Sequence, residues 1–322
     1  MLKAEYQSRG PVPQDIIEAV PFEQPALKDG EVLLEMLAAP INPSDILTLT
    51  GHYGVLPPLP AVGGNEGVAR VVEHGPGVSG PPVGQTVLLP VGCGTWSTHI
   101  VAKAGALIPL PNGVDPIQLS MLTINPPTAS LLLSEFVDLQ EGEWVIQNAA
   151  NSGVGSYLIA LAKMRGLKTV NVVRRESVVE PLTAAGADVV FVDGDDLADR
   201  VREATDGAAI RLGIDAVGGA ATDRLGAALG DGATLVNYGV LSGEPCELSP
   251  TALIFRDITL RGFWLAKWFR SATPDQQQAL YGKITGLVAG GKLSAPVHAT
   301  YPVKDIKEAV AVAAASLMSF TG

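Results

Sequence analysis

The sequence predicts an α/β protein in which a doubly wound parallel sheet is joined to a smaller, irregular β-rich region. Three observations predict it. The stretch Glu143–Arg175 reads as strand, glycine turn, helix and strand. Six strand-like runs, most with a helical segment between them, occupy residues 144–264, which is the number a complete doubly wound sheet needs. The first 120 or so residues are instead rich in proline and glycine, with short β-like runs parted by turns.

In chain order, the β-like runs of the first region are Glu31–Leu37, Gly67–Glu73, Gln85–Leu89 and Thr98–Val101, with a helical turn near Ser44–Leu49. From Asp115 the character changes, and Pro116–Met121 and Thr128–Phe136 read as helices. Trp144–Ala149 is an apolar run with β-branched content. Tyr157, Leu158, Leu161, Ala162 and Met164 follow at helical spacing, Gly166 ends the helix, and Thr169–Val173 is again β-rich. Four more strand-like runs are Asp188–Asp193, Leu212–Val217, Ala233–Tyr238 and Ile258–Trp264, with helices expected at Glu180–Ala185, Leu197–Thr205 and Ala220–Leu229. Beyond Trp268 come a long helix, Pro274–Ala289, a β-like stretch, Leu293–Tyr301, and an alanine-rich helix, Val303–Leu317. This tail has too little core to stand alone and is expected to return to the first domain. The layout calls for a further strand after it, so the sequence is expected to be truncated or edited at Ser319–Gly322.

The turn between the first strand and its helix, Ala150–Gly155, lies where free backbone N–H groups and the helix dipole favour an anion such as a pyrophosphate. As a G-x-G-x-x-G fingerprint it is degenerate: the glycine places fall on Ala150, Ser152 and Gly155. Its position between an apolar strand and an amphipathic helix supplies the context the motif requires, and puts Asn151, Ser152, Gly153 and Val154 on the pyrophosphate. An ordinary crossover without a ligand is the competing reading. About twenty residues on, where an acidic residue would hold the ribose 2′-hydroxyl of NADH, stand Arg174 and Arg175. A guanidinium binds a 2′-phosphate bidentately, so the expected cofactor is NADPH; two solvated surface arginines are the alternative.

Composition narrows the classes further. The 322 residues carry 22 Lys and Arg against 33 Asp and Glu, a net charge of −11, which argues against nucleic-acid or membrane-surface partners. A hydrophobic content of 47% with 17% charged residues describes a buried globular protein. Cys93 and Cys246 suit a reducing compartment and no disulfide framework. The N-terminus reads as no signal peptide and no run is apolar enough to span a membrane, so the expected compartment is the cytosol, or the mitochondrion if a transit peptide has been removed.

Taken in order, Asn42-Pro43-Ser44-Asp45, Gly51-His52-Tyr53-Gly54, Pro60-Ala61-Val62-Gly63-Gly64-Asn65-Glu66-Gly67, Gly94-Thr95-Trp96, Asn125-Pro126, Gln147 to Gly155, Asn171 to Arg174, Tyr238-Gly239 and Arg261-Gly262-Phe263-Trp264-Leu265 resemble the medium-chain dehydrogenase/reductase superfamily. Within it the pattern is similar to the zinc-free trans-2-enoyl-CoA/ACP (2-enoyl thioester) reductases. The resemblance implies a Rossmann domain at 122–267 inserted into a GroES-like β-barrel catalytic domain at 1–121 and 268–322, with the active site in the cleft between them and a homodimer pairing the sixth strands edge to edge. It also implies NADPH-dependent reduction of the C2–C3 double bond of an acyl thioester carried by CoA or by an acyl carrier protein.

Zinc-dependent members need a thiolate, an imidazole and a four-cysteine cluster. Here the imidazole place is Asn65, the first-ligand place falls in Asn42-Pro43, and two distant cysteines and four scattered histidines cannot build either site, so no metal is expected. His52 and His74 read as surface or loop residues. Hydride delivery to Cβ builds negative charge on the thioester oxygen, and a hydroxyl aimed there, or a proton source for Cα, lowers the barrier. Tyr53 matches the tyrosine proposed as proton donor in the resembled reductases; a packing tyrosine is the alternative. By the same resemblance Phe263 and Trp264 meet the substrate, and Asn42 is a candidate hydrogen-bond donor to it. Asn125, Tyr238, Gly239, Val240, Leu241, Phe263, Trp264 and Leu265 line the cofactor. Phe263 reads equally well as core, and Asn148 as a turn stabiliser. Arg261, Lys267 and Arg270 are candidates for the phosphates of CoA or phosphopantetheine, or simply a solvated basic face. Two rivals remain: an NADPH:quinone reductase of the same zinc-free branch, and a nucleotide-binding protein without catalysis.

Overall fold

The structure, a computed structural model, describes residues Met1–Met318; Ser319–Gly322, where the sequence is expected to be truncated, lie outside the described residues. The chain separates into two compact units. Among the described residues one comprises Met1–Ile124, Gly282–Gly291 and 296–318, the other Asn125–Tyr281 with Lys292–Ala295.

The first unit is antiparallel. Its strands are β1 (Leu2–Tyr6), β2 (Ile17–Pro21), β3 (Glu31–Ala38), β4 (Ala61–Val62), β5 (Val68–His74), β6 (Thr86–Leu88), β7 (His99–Lys103) and β8 (Ile108–Pro109). They form a five-stranded sheet, β7-β3-β5-β6-β8, and a three-stranded sheet, β2-β1-β4. Alternate residues of the long strands, Val32 and Leu34, Ala69 and Val71, turn inward and build the core of the larger sheet. The strands β1 and β2, absent from the sequence reading, pair from Leu2↔Pro21 to Tyr6↔Ile17. They send Ala4, Tyr6 and Ile17 into a second core with Ile46, Leu49 and Trp96. The final helix, Ile306–Met318, closes that core with Ile306, Val310 and Ala314, spaced four residues apart on one face. It begins three residues later than expected because Val303–Asp305 form a tighter 3₁₀ turn. The β-like stretch Leu293–Tyr301 forms no strand; Pro296 in its middle has no N–H to give a ladder.

The second unit is parallel: β9 (Trp144–Gln147), β10 (Lys168–Val173), β11 (Val189–Val192), β12 (Leu212–Asp215), β13 (Thr234–Asn237) and β14 (Thr259–Gly262), in the order β11-β10-β9-β12-β13-β14. The order reverses between β9 and β12, and such a switch point is where doubly wound sheets hold ligands, beyond the strand C-termini. Most strands end a residue or more before the predicted ends, because Asn148, Ala216, Tyr238 and Phe263 leave the ladder to build the loops there. The helix expected at Thr128–Phe136 runs from Asn125 to Leu132 instead; Pro126 and Pro127 sit in its first turn, where no backbone donor is needed. The reading also continued the last strand through Trp264. The chain instead turns there into a helix, Leu265–Ser271.

Candidate active site

The strand tips of the parallel sheet are joined by one buried carboxylate. Asp215, fully buried at the end of β12, accepts through Oδ1 from Asn148 Nδ2 at 2.6 Å and from the amides of Val217 and Gly218 at 2.9 and 3.1 Å. Its Oδ2 accepts from Thr222 Oγ1 at 2.7 Å and Asn237 Nδ2 at 3.0 Å. The Asn148 carbonyl in turn accepts from Ala216 N at 2.7 Å. Asn148 therefore ties β9 to β12 across the switch point. No sequence signal distinguished Asp215 from other strand-end acids.

The turn after β9 is built around that anchor. Ala149 takes a positive φ of 46°, a conformation usually left to glycine. Ser152 caps the helix Gly153–Met164, its hydroxyl accepting from Gly155 N at 3.1 Å. A Cβ on Gly155 would lie 2.4 Å from Ala150 O, so only glycine lets the helix start this close to the turn. A Cβ on Gly153 would likewise meet Asn125 Nδ2 at 2.8 Å. Asn151 and Ser152 are partly exposed, whereas Val154 buries its side chain and offers the turn only its backbone. The Tyr238 phenol is hydrogen-bonded to the Ser152 side chain, and burial pushes its pKa up. The loop that follows needs Gly239, whose Cβ would come within 2.6 Å of Ala216 O; Val240 is exposed and Leu241 half-buried. Arg174 and Arg175 are both exposed, directly beyond β10.

Past β14, Phe263 stands edge-on to Phe136 at 5.9 Å, and Trp264 caps the next helix with the Arg270 guanidinium 4.9 Å over its ring. Leu265 is half-buried. Arg261 lies 5.2 Å over Phe136, and Lys267 is exposed. Two of the three basic groups thus rest on aromatic faces.

In the first unit the helix Pro43–Thr50 ends at Gly51 in the left-handed conformation (φ 86°), with the amides of His52 and Tyr53 both bonded to Leu47 O. That cap sets Tyr53, which is half-buried, just past the helix. Asn42 caps the start of the same helix and is only 5% exposed. It shares a reciprocal capping box with Asp45, and its Nδ2 donates to Glu66 Oε1 at 2.8 Å. Glu66 is fully buried, and its other oxygen accepts from the amides of Thr123 and Ile124 at 2.9 and 3.0 Å. The two glycine motifs explain each other. A Cβ on Gly63 would penetrate the Trp96 ring (2.3 Å), and one on Gly64 would strike Thr95 Oγ1 (2.4 Å). The Trp96 and Thr95 side chains in turn donate to Pro40 O and Glu66 O. His52 is exposed beside Thr50, and His74, expected on a surface or loop, ends β5, exposed. Among the described residues no three His, Cys, Asp or Glu side chains come together as metal ligands.

The two buried acids carry a pH signature. Burial pushes Asp45 up to about 7 against the bonds from Asn42 and Asn65, and Glu66 up to about 8 against those from Asn42, Thr123 and Ile124. The Asp45 charge raises Glu66 further, and the Tyr6 phenol, itself bonded to Arg9, feels the same charge. In the unfolded chain such groups titrate near 4, so from about pH 4 to 8 the native state binds more protons than the unfolded one. This stability is fully present below that range, falls as pH rises across it and is gone above about pH 8. Moving from pH 6 to 9 is expected to cost on the order of 3 kcal/mol. Thermal melts at each pH would show it as a falling Tm, with Asp45→Asn/Glu66→Gln flattening the curve. A Tm that held or rose over that window would refute the assignment.

Comparison with known proteins places this arrangement. The family model described as the alcohol dehydrogenase GroES-like domain matches residues 28–112, and that described as zinc-binding dehydrogenase matches 153–280. A curated rat enoyl-acyl-carrier-protein reductase, mitochondrial, is 39% identical over 92% of this chain and 82% of its own. A Bacillus thuringiensis structure provisionally named an NADPH:quinone reductase superposes with a TM-score of 0.88 at 30% identity, covering 97% of this chain and 95% of its own. The complex of Etr1p with NADP and crotonyl-CoA, a 2-enoyl thioester reductase of Candida tropicalis, superposes with a TM-score of 0.87 at 26% identity, covering 98% and 97%. Sequence likeness of that extent on a GroES-like barrel and a Rossmann sheet shows that the chain belongs to the medium-chain dehydrogenase/reductase superfamily, among its enoyl thioester reductases.

Proposed function

We propose that this protein reduces the C2–C3 double bond of 2-enoyl thioesters with NADPH. The observation that carries the reading is whole-length likeness to enoyl reductases in both sequence and backbone. The residues present fit such a cofactor: a capped helix N-terminus follows β9, two glycines let that helix start tight against the turn and Asn125, and two exposed arginines stand at the tip of β10. When bound, NADPH supplies the hydride that reaches Cβ. The protein holds its pyrophosphate with the amides of the Asn151–Val154 turn and its 2′-phosphate with Arg174 and Arg175. Asn125, the Tyr238–Leu241 loop and Phe263–Leu265 position its nicotinamide end. Tyr53 donates its phenolic proton toward the thioester oxygen or Cα, and Phe263 and Trp264 frame the acyl group; Asn42, buried and bonded to Glu66, holds the start of the helix that leads to Tyr53.

This chemistry proceeds without zinc: the ligand places hold Asn42 and Asn65, and Glu66 is committed to three N–H donors. The chain acts as a homodimer through β14, which pairs only with β13 on its inner side among the described residues. Ile254 and Phe255, in the helical turn that precedes it in sequence, are 70% and 79% exposed. The relatives are mitochondrial by name; for this chain a reducing compartment is the reading, mitochondrion or cytosol. No described helix is long and apolar enough to cross a membrane. Likeness to the Bacillus protein favours one second reading, quinone reduction. Reduction of crotonyl-CoA should be fast with NADPH and slow with NADH, and NADPH oxidation should be slow with a benzoquinone as acceptor. Faster turnover of the quinone would replace the reading, and no turnover of either acceptor would sink both.

A further inference from the structure

The carboxyl of Glu66 spans two places that are far apart in sequence. One oxygen holds the side chain of Asn42, at the start of the helix that leads to Tyr53. The other holds the backbone of Thr123 and Ile124, the last two residues of the first unit before the chain crosses into the second. All three donors lie within 3.0 Å, and the side chain is fully buried. Its own backbone is held as well, since Glu66 O accepts from Thr95 Oγ1 at 2.7 Å. A buried acid bridging a side-chain amide and two backbone amides is a costly arrangement unless every bond is made. Gly63 and Gly64 pack the segment leading to Glu66 directly against Trp96 and Thr95.

We infer that Glu66 is a positioning residue of the reductase: its carboxyl fixes Asn42 and the Thr123–Ile124 backbone at a set separation. It thereby fixes both the helix that presents Tyr53 and the point from which the chain continues to Asn125. It touches no reacting atom and acts through those two segments. The inference rests on the reductase reading above. The quantity that matters is reach. Aspartate keeps the acid but is one methylene too short to bond both segments. Glutamine keeps the length: its carbonyl can accept from the two amides, and its NH₂ can meet Asn42 after that amide turns over.

The experiment compares Glu66→Asp and Glu66→Gln in the full chain. Glu66→Asp should lower kcat for crotonyl-CoA by roughly ten- to a hundredfold, the scale of a misplacement of about 1 Å. The NADPH dissociation constant, read by fluorescence titration, should stay within about threefold, because its proposed pyrophosphate and 2′-phosphate contacts lie in the second unit. Glu66→Gln should recover kcat to within about threefold of wild type. Amide hydrogen exchange gives a readout independent of turnover: peptides spanning residues 119–126 should lose protection in Glu66→Asp and keep it in Glu66→Gln. Three results would overturn the inference: Glu66→Asp as active and as protected as wild type, Glu66→Gln no better than Glu66→Asp, or a loss of kcat matched by an equal loss of NADPH affinity and of Tm. If wild type itself fails to turn over crotonyl-CoA, the reductase reading falls, and the exchange pattern still decides whether Glu66 clamps these segments.

Discussion

Tyr53→Phe should lower kcat for crotonyl-CoA by about two to three orders of magnitude, with NADPH affinity and Tm close to wild type. The substitution deletes one O–H and keeps the ring, so the half-buried packing past the helix Pro43–Thr50 survives. Hydride addition at Cβ pushes an electron pair toward the thioester oxygen, and the enolate formed must be stabilised there and protonated at Cα. A single positioned donor in a catalytic site contributes roughly 3–4 kcal/mol to such a step. The zinc-ligand places of related dehydrogenases hold Asn42 and Asn65 here, so the loss is expected at the full scale. The effect belongs in kcat, because the developing charge exists only in the transition state. Steady-state kinetics with a parallel titration of NADPH test this. A kcat within about threefold of wild type would remove Tyr53 from the chemistry and favour its reading as a packing residue.

Charge reversal at the strand tip is the second large effect. Arg174→Glu/Arg175→Glu should shift the preference for NADPH over NADH, measured as a ratio of kcat/KM values, by about three orders of magnitude. Hydrogen bonds from a guanidinium to phosphate contribute roughly 1.5–3 kcal/mol each, and every 1.4 kcal/mol is tenfold. Both arginines are exposed, so solvent screening takes back part of the two-arginine sum, while repulsion from the introduced carboxylates restores it. Arg174→Ala/Arg175→Ala lacks that repulsion and should shift the ratio by about a hundredfold. The change should appear against NADPH and leave NADH nearly untouched, because only NADPH carries the 2′-phosphate. An equal loss with both cofactors would mean that the arginines support the fold of the turn instead of reading the phosphate.

The glycine turn illustrates how far sequence patterns reach and where they stop. Only one of three fingerprint glycines is present, yet the helix begins where the pattern puts it. Gly155 is the one position where a side chain would strike the turn backbone, and Ala149 bears the positive φ itself. The motifs around Gly63, Gly64, Thr95 and Trp96 were legible as punctuation, but their meaning, one tight packing contact, was not. Asp215 and Glu66 were missed as organising residues, and Asn42 was read only as a donor to substrate. The strand-to-helix switch at Trp264 was missed because an aromatic, β-branched run reads as strand until tertiary packing says otherwise.

The sequence by itself determined the six parallel strands, the helices between them and their order along the chain, because periodicity and turn chemistry are local properties carried by neighbouring residues. The tertiary structure alone decided which polar groups are spent on one another. Glu66 meets Thr123 across 57 positions of sequence, and Asn148 meets Asp215 across 67. A buried hydrogen bond obeys distance in space, and no local pattern records which distant amide will come to rest within 3 Å of a carboxylate.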